Sequence, residues 1–212
     1  MQIAADKLTL KYQAHPLFEN LSFNASAGQR ICIAGPSGSG KSSLLRALMG
    51  FVRPASGSIF IDGIELNDKT VWKLRRLMAY VPQEPDLGDV TVKERISRPF
   101  HLKANAHLVL DSAELDRCWT LFGLGSNLLE KKATELSGGE KQRVAVIIAL
   151  LLKRPVLLLD EPVSAMDKQS RLTLREVLKN QTDKTILFVS HDDSLLDIAD
   201  RIVDVQSFRS PS

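Results

Sequence analysis

The sequence predicts an α/β fold with a buried parallel core sheet, an N-terminal antiparallel β part and an inserted helical subdomain. Three short runs, residues 31–34, 156–159 and 185–189, are uniformly apolar, as suits strands buried on both faces of a parallel sheet. Each gives way at once to polar or glycine-rich sequence: Gly35 onward, Asp160-Glu161, and Ser190-His191. Ligands of open α/β sheets bind at the carboxyl ends of strands, so these three endings point to one shared site. Between Gln83 and Leu136 the pattern turns mostly helical. The sheet parts are therefore expected at about 1–83 and 136–205 of one domain, with the helical part at about 84–135.

Taken in order, residues 8–12 and 21–27 alternate and read as antiparallel strands, and 58–61 reads as a strand before an Asp62-Gly63 turn, giving a hairpin. Residues 41–49 form an amphipathic helix directly after a glycine-rich loop. Helical patterning returns at 92–96 and 108–121, with a break at Gly123 and Gly125. The apolar stretch 144–152 is a buried helix, cut from the strand at 156–159 by Lys153, Arg154 and Pro155. Neither piece approaches the ~20 apolar residues of a spanning helix, so no direct membrane insertion is expected. The tail, 206–212, is polar and expected to fray.

At 212 residues with 44% hydrophobic and 25% charged residues, the chain has the make-up of a soluble globular domain, not a disordered or fibrous one. A net charge of +3 is too small to make nucleic acid the expected partner. Of two cysteines, Cys32 lies in an apolar run as a small buried thiol, which fits a reducing compartment. The first residues lack a basic segment followed by an apolar core, so a cytoplasmic location is expected. His15, His101 and His107 show no metal-ligand spacing and read as surface residues.

Gly35-Pro36-Ser37-Gly38-Ser39-Gly40-Lys41-Ser42 fits the phosphate-binding loop pattern. It follows a predicted strand and opens a helix, which surrounds an anion with backbone N–H groups and a helix N-terminus. Lys41 would reach the terminal phosphates as a cation, and the Ser42 hydroxyl would ligate magnesium. Asp160-Glu161 supplies two carboxylates with different tasks, one holding magnesium and one positioning the attacking water as general base. In Leu136-Ser137-Gly138-Gly139-Glu140, Ser137 and Glu140 have capping-box spacing. The capping box leaves the two glycines unexplained, since each costs about 1 kcal/mol relative to alanine in a helix. Something approaching the backbone there would account for them, and a phosphate at the helix N-terminus is the natural candidate.

From about residue 8 to about 205 the chain resembles the nucleotide-binding subunits of ATP-binding cassette (ABC) transporters. Gly35 to Ser42, with Ser43 after it, resembles the Walker A loop; Gln83 the Q-loop glutamine; Leu136 to Glu140 the family signature; residues 156–160 the Walker B strand. Glu161 matches the catalytic glutamate, Ser164-Ala165-Met166-Asp167 the D-loop, His191 the switch histidine, and Tyr12 the ring set against adenine. Met166 stands where leucine is commoner and Ser43 where threonine is, both mild departures.

The resemblance implies an ABC-type P-loop NTPase that binds ATP and Mg2+. Ser42, Gln83 and Asp160 would serve the metal, and Lys41, Gln83, Glu161 and His191 the hydrolysis. It further implies a head-to-tail dimer in which Ser137, Gly138, Gly139 and Asp167 of one cassette close on the nucleotide of the other. The expected partner is a separate transmembrane permease, with the cassette peripheral on the inner face of the membrane. Residues 86–100 and the compact length loosely resemble ATPase subunits of a metal or iron export family. The alternative reading is a non-transport ABC-type ATPase acting on nucleic acid or ribosomes, against which stand the slight basic excess and the lack of a coiled-coil insertion.

Overall fold

The computed structural model describes residues 1–13 and 15–208. The chain runs through β1 (Ile3–Tyr12), β2 (His15–Ala25), β3 (Arg30–Ala34), α1 (Lys41–Leu48), β4 (Ser56–Ile61), β5 (Ile64–Glu65), α2 (Val71–Arg75) and β6 (Met78–Val81). It continues through α3 (Val92–Ser97), α4 (Ser112–Leu121), α5 (Gly138–Leu151), β7 (Val156–Asp160), α6 (Lys168–Lys179), β8 (Thr185–Val189), α7 (Asp193–Leu196) and β9 (Arg201–Asp204), with short 3-10 turns between some of them.

The strands of the described residues form two sheets. The antiparallel sheet has order β2-β1-β4-β5, and the core sheet has order β6-β7-β8-β3-β9, with every neighbouring pair of its strands parallel. The three apolar runs of the sequence become the adjacent central strands β7, β8 and β3. All of β7 and β8 is buried, which is why these strands carry no alternation. Asp62 (φ 51°) and Gly63 (φ 75°) turn the chain between β4 and β5, the two-residue hairpin expected from that dipeptide.

The core sheet separates two apolar layers. On one side Ile33, Leu44, Leu48, Leu158 and Leu187 pack with the inner face of the antiparallel sheet, including Leu8, Phe18 and Ile61. On the other Leu157, Leu159, Ile186 and Phe188 pack with Val144 and Ile147 of α5 and reach Trp119 of α4. Alternate residues of one strand thus serve opposite layers, as strand geometry requires. Between β6 and α5 the chain forms helices, turns and one isolated bridge, Thr91 with Lys132. Residues 206–208, part of the tail expected to fray, instead belong to the 3-10 turn Val205–Phe208, with Val205 buried and Phe208 packed on the first layer; residues 209–212 of that expectation lie outside the described residues. No helix among the described residues is long and apolar enough to cross a membrane.

Among the described residues, five helices begin at a side-chain cap: Thr91, Asp111, Ser137, Asp167 and Asp192 accept from backbone N–H groups of α3, α4, α5, α6 and α7. Hydrogen bonds from backbone N–H groups hold the carboxyls of Glu94, Asp111, Glu140 and Asp167 below the usual range, and Ser194 with Arg171 does the same for Asp192. A carboxyl whose pKa is lower folded than unfolded stabilises the fold above its unfolded value, and that stability is lost as pH falls through the folded value. The thermal midpoint should therefore drop as pH is lowered from about 5 to about 3. Scanning calorimetry across that range checks it, and Glu94→Gln or Glu140→Gln should flatten the acid limb.

Candidate functional site

β3 delivers the chain at Ala34 to a loop whose first and last glycines cannot be replaced in this geometry. Gly40 has φ 96°, and a Cβ there would lie 2.9 Å from Leu17 Cβ; Gly35 has φ 142°, and a Cβ would lie 2.8 Å from Ser39 Oγ. Pro36 accepts from the Ser39 N–H at 3.2 Å, folding the loop back on itself before α1 begins. Lys41 opens α1 and is 6% exposed. Its Nζ donates to the Gly35 carbonyl at 2.8 Å and the Pro36 carbonyl at 2.9 Å, so the cation sits inside the loop. A cleft of about 370 Å³ is lined by Tyr12, the loop from Ser37 through Gly38, Ser39, Gly40, Lys41, Ser42 and Ser43, then Gln83 and Glu161. Tyr12 ends β1, is 68% exposed and lines that cleft.

Asp160 is the last residue of β7 and 1% exposed. It accepts from Ser42 Oγ at 2.9 Å and from the Tyr80 hydroxyl at 3.2 Å, while burial pushes its pKa up. Burial and the neighbouring Asp160 charge raise Tyr80 in turn. Tyr80 belongs to β6, a strand that sequence reasoning missed; the signal was its position three residues before Gln83 on an apolar segment.

Glu161 leaves the sheet in the left-handed region, φ 45°, with its N–H on the Val189 carbonyl of β8 at 3.0 Å. A non-glycine residue there costs on the order of 1–3 kcal/mol and persists where the surroundings impose it. Gln83 Nε2 donates to Glu161 Oε2 at 3.3 Å. Glu161 also faces a second cleft, about 230 Å³, shared with Ser190, His191 and Arg171. Arg171 donates to the Met166 carbonyl and to Asp192, tying the segment after Glu161 to the one holding His191; this arginine too was not singled out from sequence.

Ser137 and Glu140 form the expected capping box: Ser137 Oγ accepts from the Glu140 N–H, and Glu140 Oε2 accepts from the Ser137 N–H and hydroxyl at 2.8 Å each. The backbone that approaches Gly139 is the chain's own, since a Cβ there would lie 2.6 Å from the Ala165 carbonyl oxygen, while Gly138 meets only ordinary contact with the Ala165 methyl. Gly139 therefore packs closely against the segment after β7 of its own chain. Asp167 caps α6, accepts from Ser170, and pairs with Arg143 at 2.9 Å. Ser137, Gly138, Gly139 and Asp167 do not line the cleft formed by the loop, Tyr12 and Glu161.

A family model described as ABC transporter matches residues 18–164, more than half of the chain. The chain belongs to the ABC transporter family. As a member it is the ATP-binding, ATP-hydrolysing part of a transporter. The energy-coupling factor transporter ATP-binding protein EcfA1 of Streptococcus pyogenes serotype M5 (strain Manfredo) is 34% identical over 209 residues, 95% of this chain and 74% of that protein. A bacterial Atm1-family ABC exporter with ATP bound superposes with a TM-score of 0.86 at 28% identity; the match covers 100% of this chain but only 38% of the exporter's. A dimeric bacterial ABC transporter cassette superposes at 0.85 with 27% identity, covering 96% of this chain and 94% of that one. The same cassette in a post-hydrolysis state with ADP and Pi gives 0.83 at 26% identity, covering 99% and 97%.

Proposed function

We propose that this ABC cassette hydrolyses ATP as one half of a head-to-tail pair and that the pair drives a separate transmembrane permease from the cytoplasmic face. The observation that carries the reading is the division of the candidate residues. Tyr12, the loop, Gln83 and Glu161 share one cleft, whereas Ser137, Gly138 and Gly139 lie outside it. A second copy brings the missing N-terminal turn of α5 to the phosphates. In the pair, Lys41 and the loop N–H groups hold the phosphates, Tyr12 meets the adenine, and Glu161 takes the proton of the attacking water. His191 assists at the terminal phosphate, and Asp167 lies at the junction between copies. Positive groups and helix N-termini from both chains stabilise the charge that develops in line.

The residues fit a magnesium ion. Ser42 and Asp160 offer hard oxygen donors, and the buried Asp160 carboxylate makes no ion pair among the described residues. Ser42, Asp160 and the side chain of Gln83 would hold the ion, which when bound neutralises phosphate charge. Gln83 lies between the core sheet and the stretch at about 84–135, which we take as the helical subdomain that moves against the permease. Cargo is chosen by the permease, and an energy-coupling factor relative lends no support to metal or iron export in particular.

The test is the ATPase rate per chain against protein concentration. It should rise with concentration, and Ser137→Arg, which places a long cation on the shared face, should lower it ~100-fold or more. A rate independent of concentration that survives Ser137→Arg would show a self-contained site.

A further inference from the structure

A cleft of about 610 Å³ is bounded by three segments far apart in sequence: Gln83 after β6, Gly138 and Gln142 on α5, and Ser164 and Ala165 after β7. Two adjacent residues in the second turn of α5 tie that helix to the other two segments. Gln142 is fully buried, and its Nε2 donates to the Pro82 carbonyl at 3.4 Å. Arg143, its side chain 15% exposed, donates to Asp167 Oδ2 at 2.9 Å and to Ser170 Oγ at 2.8 Å. The close packing of Gly139 on the Ala165 carbonyl adds a third link to the same segment. Among the described residues the Gln142 Oε1 is buried without a partner, so hydrogen bonding accounts for only the nitrogen of its amide. An unsatisfied amide oxygen is a cost that an apolar side chain of similar volume avoids.

We infer that Gln142 and Arg143 are positioning residues that couple the two nucleotide sites of the pair, a step that rests on the head-to-tail reading. Nucleotide held by the partner bears on Ser137 and Gly139 at the start of α5. A shift of that helix passes through Gln142 to Pro82 and so to Gln83, whose Nε2 meets Glu161 Oε2 at 3.3 Å. The same shift passes through Arg143 to Asp167, in a segment whose Ser164 N–H donates to the Glu161 carbonyl at 3.2 Å. Both routes end on Glu161 of the same chain. Occupancy of one site thereby sets the placement of the base in the other, and hydrolysis is cooperative in ATP.

The experiment measures steady-state hydrolysis against ATP for the wild type, Gln142→Met and Arg143→Lys. ATP binding is measured at high dilution on the same chains carrying Glu161→Gln. Methionine keeps the volume without the donor, and lysine keeps the charge without the fork that reaches both Asp167 and Ser170. The wild type should show a Hill coefficient above 1, and each variant should bring it to about 1 while lowering kcat ~3- to 30-fold. KM should stay within about twofold, and ATP binding to the dilute chain should be unchanged. A wild-type Hill coefficient of 1 overturns the inference, as do variants that keep the cooperativity or lose activity only in step with their thermal midpoints. A dilution series of the wild type separates the two readings: if rate depends on concentration while the variants remain cooperative, the coupling falls and the pairing stands.

Discussion

Glu161→Gln should bind ATP as the parent does and hydrolyse it ~10²- to 10⁴-fold more slowly, the range a positioned general base contributes. The substitution keeps the length and shape of the side chain, and an amide oxygen can still accept from Gln83 Nε2, now 3.3 Å from the carboxylate. It disturbs little else, because Glu161 is held through its backbone, with its N–H on Val189 and its carbonyl on Ser164. Only proton acceptance is removed. With ATP bound and no turnover, the pair should persist, so size-exclusion chromatography with ATP should show a dimer that the wild type forms only transiently. Single-turnover hydrolysis and equilibrium ATP binding together read the effect. Unchanged hydrolysis would assign the base elsewhere; lost binding would mean that Glu161 shapes the loop cleft instead.

The central strands were legible because burial on both faces leaves an unbroken apolar run, as in the fully buried β7 and β8. The edge strands were not. β6 is four residues long and follows the basic helix α2, and β9 has one buried residue in four, so neither carries a pattern that sequence alone can separate from a loop. β1 begins at Ile3, well before the alternation at 8–12, because register shifts between Ala5 and Leu8 and again between Leu8 and Leu10 break its period. α4 begins at Ser112 and not at 108, since Asp111 is its N-cap. A cap inside an apolar-periodic stretch marks a boundary that periodicity overrides on paper.

Within the candidate site, what was legible is local. The loop from Gly35 to Ser42 is a contiguous pattern whose chemistry is set by spacing. Tyr80 on Asp160 and Arg143 on Asp167 depend on residues brought together across 80 and 24 positions, which no spacing rule reaches. Gly139 adds a contact of the same kind: the sequence marks it as a place of close approach, and the Ala165 carbonyl of the same chain is one group that comes close.

Asp160→Asn should abolish turnover while making the nucleotide-free chain more stable. The carboxylate is 1% exposed, burial raises its pKa, and the charges that act on it from Glu161 and Arg46 oppose one another. Its two hydrogen bonds can survive the change, for the amide oxygen still accepts from Ser42 and the amide nitrogen can donate to the Tyr80 oxygen. What disappears is a buried charge without an ion-pair partner among the described residues, whose desolvation is unfavourable to the fold, so the thermal midpoint without nucleotide should rise. Turnover should fall roughly 10³-fold or more, as expected when a carboxylate that anchors a metal worth several kcal/mol of charge stabilisation is neutralised. Calorimetry without ligand, then with ATP and magnesium, separates the two effects. The wild type should gain more stability from magnesium with ATP than from ATP alone, and the variant should not. A variant that melts lower than its parent would mean that Asp160 holds the end of β7 together through Ser42 and Tyr80, and that its loss of turnover is a consequence of a displaced strand end.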